Sequence, residues 1–238
     1  MSEIFARTRL IFGNEAMERL SRARVALFGV GGVGGYAAEA LARSGIGAID
    51  IIDNDTVSES NLNRQIIALR STVGMYKTDA AAARIHDINP DCAVTGHRIF
   101  FLPENKDCID FRQFDYVIDA IDTVSGKLAV IECAKAAGVP VISCMGTGNK
   151  TDPSLLTVTD IYGTSVCPLA RVMRHECRKR GIKKLKVVFS TEEPRTPRKT
   201  VTAANGKPVP GSTAFVPPAA GLLIASEVVR YIAEGEKA

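Results

Sequence analysis

Apolar and polar positions along the chain fall into segments of strand length separated by segments of helical period. Asn14–Ser21 reads as a short helix. Arg24–Phe28 is apolar and β-branched, predicts a strand, and runs into Gly29-Val30-Gly31-Gly32-Val33-Gly34. Gly35–Ser44 is a helix of small residues ended by Gly45 and Gly47, and Ala48–Asp53 is the next strand. This is a βαβ unit of the expected length. Farther on, Tyr76–Ile88 predicts a helix stopped by Asn89-Pro90, Ala93–Ile99 a strand, and Tyr116–Ile121 a buried strand. Ser125–Ala137 predicts a helix ended by Gly138, and Val139–Cys144 another strand.

After Gly146 the pattern changes. Leu155–Ile161 alternates as a half-exposed strand does, Ser165–Arg180 is an amphipathic basic helix, and Lys186–Ser190 is a strand. Glu192–Gly211 is rich in Pro, Thr, Gly and Lys and reads as a long, mobile loop before a last helix, Pro218–Ala233. Strands alternating with helices imply a parallel sheet with right-handed crossovers. The expected fold is therefore α/β: a Rossmann-like, mostly parallel sheet flanked by helices. A smaller C-terminal lobe carries antiparallel strands. One domain is expected over 1–238, with a nucleotide-binding core at 1–146 and a substrate lobe at 147–238.

The 238 residues suffice for a core without disulfides or metal staples. The six cysteines form no C-x-x-C pair, which argues against a four-thiolate zinc site. No signal peptide is legible at the start, and Ala214–Ser226, the longest apolar stretch, is too short to span a bilayer. A cytoplasmic protein with reduced thiols and no membrane is the expectation. The net charge of +4 is uneven: Arg171–Lys207 holds twelve Lys or Arg against three Glu, a local +9. Such a segment suits an anionic partner, or is a solvated helix face and loop.

Gly29, Gly31 and Gly34 form G-x-G-x-x-G between a strand and a helix. There the backbone can approach phosphate, and the helix N-terminus supplies oriented N–H donors; Gly32 lies in the same loop. Asp53 follows Gly34 by nineteen residues, where an acid meets nucleotide ribose; Asp55 is a second polar contact or a turn-former. Asn61, Arg64, Gln65 and Lys77 then bring cations and amides, more than a dinucleotide pyrophosphate requires and suited to ATP with Mg²⁺. Asp122 ends a later strand and is a magnesium-ligand candidate, an N-cap of the next helix, or both.

These motifs, together with Ile52 to Val57 and Asp119 to Asp122, resemble the ubiquitin-activating-enzyme-like superfamily that includes the ThiF and MoeB proteins, over roughly Arg7–Gly146. The resemblance implies adenylation of a carboxylate, with Asp53 on ribose, Asn61, Arg64 and Lys77 on phosphates, and Asp122 on Mg²⁺. It further implies a homodimer in which Arg7, or its neighbour Arg9, enters the partner's site, and a cysteine desulfurase or sulfur-acceptor partner. Ala40 to Gly47, Asn63 to Ile66, Pro168 to Arg174 and Val187 to Glu192 resemble the tRNA threonylcarbamoyladenosine dehydratases nearly end to end. That family activates the threonine carboxylate of the modified adenosine with ATP and closes a ring with loss of water. The basic stretch after Ala170, including Arg174, Arg178, Lys183 and Lys184, then suits tRNA phosphates. Two alternatives stand beside this reading: adenylation of a ubiquitin-like sulfur carrier, and a non-catalytic nucleotide-binding scaffold. Cys167, before Pro168 at a helix start, is either structural or a reactive thiol.

Overall fold

The computed structural model describes residues 3–202, 206 and 208–235. Lys207, the last cation of the basic segment, lies outside them, as do 203–205. Among the described residues, fourteen α-helices and β-strands follow one another: α1 (Ala6–Phe12), α2 (Asn14–Arg22), β1 (Arg24–Phe28), α3 (Gly34–Arg43), β2 (Ala48–Ile52), α4 (Lys77–Ile88), β3 (Ala93–His97), β4 (Tyr116–Asp119), α5 (Val124–Ala136), β5 (Val141–Cys144), β6 (Leu156–Asp160), α6 (Pro168–Lys179), β7 (Lys186–Ser190) and α7 (Val216–Glu234). One seven-stranded sheet has the order β3-β2-β1-β4-β5-β7-β6. Only β6 runs antiparallel, paired with β7 from Leu156↔Ser190 to Asp160↔Lys186.

Alternation along β1 divides the core. Val25 and Leu27 face a cluster with Leu20 of α2, Leu41 of α3 and Ile224 and Val228 of α7. Ala26 and Phe28 face the opposite cluster, with Leu128 and Ile131 of α5, Met173 and Cys177 of α6, and Phe101 and Phe111. Successive side chains of a strand point to opposite faces, so a parallel sheet covered on both sides is apolar throughout. The two strands of the C-terminal lobe extend this same sheet, because β7 pairs in parallel with β5.

Helix α7 is, among the described residues, the one helix long and apolar enough to cross a membrane. It starts two residues before the expected Pro218, with Pro217 and Pro218 in its first turn, where a missing N–H costs nothing, and ends at Glu234, one residue after the expected Ala233. Most of its apolar residues are buried in the core: Val216, Ala220, Ile224 and Val228 are fully covered, while Leu222 is exposed. At Gly221 a Cβ would stand 2.2 Å from the Val33 carbonyl oxygen, so only glycine lets α7 lie this close to the start of α3.

Other ends also differ from expectation. Helix α6 starts at Pro168 rather than Ser165, with Pro at its first position, and Val166 just before it has φ +31°. Helix α1 has no counterpart among the expected elements; Leu10 and Ile11 on it are 87% and 81% exposed.

Candidate functional site

Strand order reverses between β1 and β4, the switch point at which open α/β sheets leave a ligand crevice beyond their carboxyl ends. The glycine loop leaves β1 at this point. Gly29 has φ +86°, and a Cβ there would lie 2.8 Å from the Ala120 carbonyl oxygen of the turn after β4. At Gly34 a Cβ would lie 1.8 Å from the Gly29 carbonyl oxygen. Both glycines are thus fixed by close backbone approach, and the loop delivers the N-terminus of α3 to the crevice.

Asp53 follows β2 and is tied to this loop. One of its carboxylate oxygens accepts the Val30 amide at 2.9 Å and the other accepts the Asp55 amide at 2.9 Å. Asp55 in turn accepts the Lys77 ammonium at 2.6 Å. Lys77 is buried at the start of α4, while Asp55 is exposed.

The segment 58–65 forms the facing wall. Asn61 is buried, and its side-chain oxygen accepts the Ser58 amide at 3.0 Å in a capping box. Arg64 lays its stem against Gly32, where a Cβ would meet Arg64 Cγ at 3.4 Å. Its guanidinium donates to the Ser60 carbonyl at 2.9 Å and the Asn63 side chain at 3.0 Å. Gln65 is buried beside Gly31, 3.7 Å from a Cβ built there, and its carbonyl oxygen has no hydrogen-bond partner among the described residues. A buried acceptor without a donor costs about 1–3 kcal/mol, so a site that keeps one is suited to a ligand that supplies the donor.

Asp122 lies on the exposed turn after β4, on the same crevice, with no hydrogen bond or ion pair among the described residues. It is not the helix cap: α5 takes Thr123 as its N-cap, and that residue makes no side-chain cap bond. Sequence reasoning missed what holds the turn. Asp119 accepts the Lys127 ammonium at 2.9 Å and the Ser143 hydroxyl at 2.5 Å, and its other oxygen accepts the Ile121 amide at 3.3 Å. Lys127 and Asp119 are both fully buried. The available signal was a lysine set against the apolar run Leu128–Ile131. A second missed contact is the return of the long loop: Asn63 donates to the Ser212 carbonyl at 3.3 Å, and Pro217 lies against Gly32.

Arg7 stands apart from its own crevice. Phe5 packs on Gly45, ahead of β2 at the opposite end of the sheet, and Arg7 follows it, exposed on α1. Arg9 instead lines a crevice of about 180 Å³ with Phe5, Met17 and Asn89.

Cys167 is 1% exposed within the second apolar cluster, its sulfur 3.5 Å from a Cβ built on Gly146. Nearby Cys144 is pushed up to about 12 by burial. Lys150, also buried, donates to the Ser190 carbonyl at 3.1 Å, and desolvation lowers its pKa. Of the basic residues expected to contact phosphates, Arg174 is engaged internally, donating to the Thr164 carbonyl at 3.0 Å and to its hydroxyl.

The ThiF family model matches residues 5–238 of the chain. The tRNA threonylcarbamoyladenosine dehydratase of Bacillus subtilis (strain 168) is 45% identical over 94% of this chain and 92% of its own. That of Escherichia coli (strain K12) is 42% identical over 79% of this chain and 73% of its own. The crystal structure of the E. coli enzyme TcdA in complex with ATP superposes with a TM-score of 0.88 at 36% identity, covering 97% of this chain and 93% of that one.

Proposed function

The chain belongs to the ThiF family, and on that premise we propose that it dehydrates N6-threonylcarbamoyladenosine in tRNA at the expense of ATP. One observation carries the reading. The glycine loop, Asp53, Arg64, Gln65 and Asp122 converge on one crevice, in a chain 45% identical to a dehydratase over nearly its whole length.

ATP is the co-substrate. The N-terminus of α3 and the glycine loop receive its phosphates, and the side-chain nitrogen of the buried Gln65 lies beside Gly31, 3.7 Å from a Cβ built there. Asp53, held by the Val30 amide, meets the ribose hydroxyls. The guanidinium N–H groups that Arg64 does not spend on Ser60 and Asn63 face the phosphates, and Lys77 trades its bond to Asp55 for a phosphate oxygen. Asn61 acts by fixing the wall that carries Arg64 and Gln65, whose amides both bond to its carbonyl.

The residues present fit Mg²⁺ as well. No cluster of three His, Cys, Asp or Glu occurs among the described residues, yet Mg²⁺ is commonly held by one carboxylate plus substrate phosphates. Asp122 supplies that carboxylate, and the metal would supply charge neutralisation.

The substrate carboxylate attacks the α-phosphorus of ATP, and pyrophosphate leaves. A nitrogen of the same substrate then attacks the activated acyl carbon, AMP departs, and the ring closes as that nitrogen loses its proton. One carboxylate oxygen leaves with AMP, so the net change in the nucleoside is loss of water. The protein's contribution is orientation and charge neutralisation in the crevice.

A homodimer completes the site. Arg7 is exposed, remote from its own crevice and on the same short helix as the exposed Leu10 and Ile11, as an arginine delivered to a second copy would be. The setting is the cytoplasm, where ATP and tRNA are both found. The test is mass spectrometry of tRNA nucleosides after incubation with protein, ATP and Mg²⁺. The expected product lacks one water. Unchanged nucleoside accompanied by adenylation of a sulfur-carrier C-terminus would replace this reading by carrier activation.

A further inference from the structure

The basic segment is split between the two ends of the sheet. Strands β1, β4 and β5 are parallel, so the glycine loop, Asp122 and Gly146 all lie at their carboxyl ends. Helix α6 begins there, because Cys167 and Leu169 pack on Gly146. It ends at the opposite pole: α6 is followed by Gly181–Leu185 and then by Lys186, which pairs with Ile142 at the start of β5. Twelve residues at 1.5 Å each separate the poles by about 18 Å.

At that far pole, Tyr162, Arg178, Gly181, Ile182 and Lys183 line an open depression of about 440 Å³. The Arg178 guanidinium lies over the Tyr162 ring, 5.3 Å from its centroid. The ring is held in place by its hydroxyl, which donates to the Ile182 carbonyl. Lys183 and Lys184 are exposed and have no acidic partner among the described residues. Lys179 and Arg180, by contrast, are paired with Glu176, and Arg180 also with Glu132. Arg178 and Lys183 thus bring unpaired charge to the depression, and Lys184 follows Lys183 in the chain.

We propose that this depression is a second RNA contact, which grips the tRNA backbone at a point remote from the reacting nucleoside while α6 spans the interval. The inference rests on the tRNA reading above. A planar guanidinium on a fixed aromatic ring, with the unpaired Lys183 on the rim and Lys184 next to it in the chain, suits a nucleotide: phosphate for the ammonium groups and a π-face for the shelf. An acidic peptide would need only the charges, and the shelf favours RNA over it. A rigid polyanion also reaches both poles at once, so the two contacts reinforce each other.

The test compares full-length tRNA with a short oligonucleotide stem–loop that carries the modified nucleoside but cannot reach the far pole. The variant is the triple Arg178→Gln, Lys183→Gln, Lys184→Gln, with its thermal midpoint measured alongside. On full-length tRNA it should bind about 10-fold more weakly, and its salt slope should be lower by about 2. On the stem–loop, wild type and triple variant should bind and react alike, and ATP binding should not change. Equal binding of full-length tRNA by both proteins would overturn the far contact while leaving dehydration intact. Equal loss on both RNAs would also overturn it, because the effect would then not arise at the far pole. Failure of the wild type to act on either RNA would overturn the tRNA reading itself. Binding of an acidic peptide that competes with full-length tRNA only at this depression would assign the patch to protein instead.

Discussion

The Lys77 ammonium sits 2.6 Å from the Asp55 carboxylate, and the Lys77 amide donates to the Asp55 carbonyl at 2.9 Å, so the two residues are joined twice. The sequence offered Lys77 as a phosphate contact and Asp55 as a second polar contact or a turn-former; their bond to one another was not legible in it. Lys77 is buried and Asp55 is exposed, so the carboxylate aims the ammonium, and under the proposed function a phosphate oxygen would take its place.

Opposite sizes of effect are therefore expected at the two positions. Lys77→Met should lower kcat/KM for ATP by roughly 100-fold or more, having removed a charge that neutralises the transferring group. Asp55→Asn should change it by less than about 10-fold, since the lysine then turns to ATP without giving up a carboxylate. Steady-state kinetics with pyrophosphate release as the readout checks both. Equal losses at the two positions would mean that Asp55 itself contacts the nucleotide.

Glu39 in α3 gives a prediction about pH. Burial raises its pKa, but hydrogen bonds from Arg84 and Arg43 outweigh burial and bring it below the ordinary carboxylate value. The folded-state pKa is depressed, so the stabilisation is present above the unfolded value, about 4.3, and fades as pH falls through the folded value. Glu39→Gln should destabilise the protein by about 1–2 kcal/mol at neutral pH. The gap to wild type should close below about pH 4. Urea unfolding at several pH values measures it, and a gap constant with pH would contradict the assignment.

What the sequence made legible was local. A glycine loop, the acid after the second strand, and the order of strands and helices all follow from backbone rules acting over a few residues, and the structure has them where the pattern puts them. Contacts between distant segments were not legible. Nothing near Asp119 states that Lys127 and Ser143 will enclose it, or that Ser212 and Pro217 will return to the wall at Asn63 and Gly32. Similarly, charge counting placed Arg174 with Arg178 and Lys183, but folding turned Arg174 inward onto Thr164. Helix α1 was missed because its Leu10 and Ile11 face outward, so no buried stripe marks it.

Cys167 separates direct ring closure from a covalent route. It is buried, packs among apolar side chains and occupies the N-cap of α6, where its thiol makes no cap bond. Serine is a preferred N-cap residue, so Cys167→Ser should fold and retain most turnover. Loss of several orders of magnitude with an unchanged thermal midpoint would point to a thioester and revive carrier activation. Alkylation offers an independent check: Cys108 is exposed and should label first, while burial holds Cys92 up at about 11 and Cys144 up at about 12, making both slow.

Arg7 tests the dimer. It has no hydrogen bond or ion pair among the described residues, and the Phe5–Gly45 contact fixes α1 at the pole away from the glycine loop. If Arg7 completes a neighbour's site, Arg7→Ala should lose activity and remain dimeric by sedimentation. Asp122→Ala should lose activity for a different reason, in its own crevice. Mixing the two inactive proteins under conditions that exchange subunits should then restore activity. In each mixed dimer one crevice has both its own Asp122 and the partner's arginine, and the other crevice has neither. Random exchange makes about half the dimers mixed, each with one working site, so recovery should approach about a quarter of wild type. Arg9 provides the control: it lines the crevice with Asn89 and Met17, so Arg9→Ala should lower stability rather than enter this complementation. Stable mixed dimers without recovery would place Arg7 outside the reaction and leave each crevice complete within one chain.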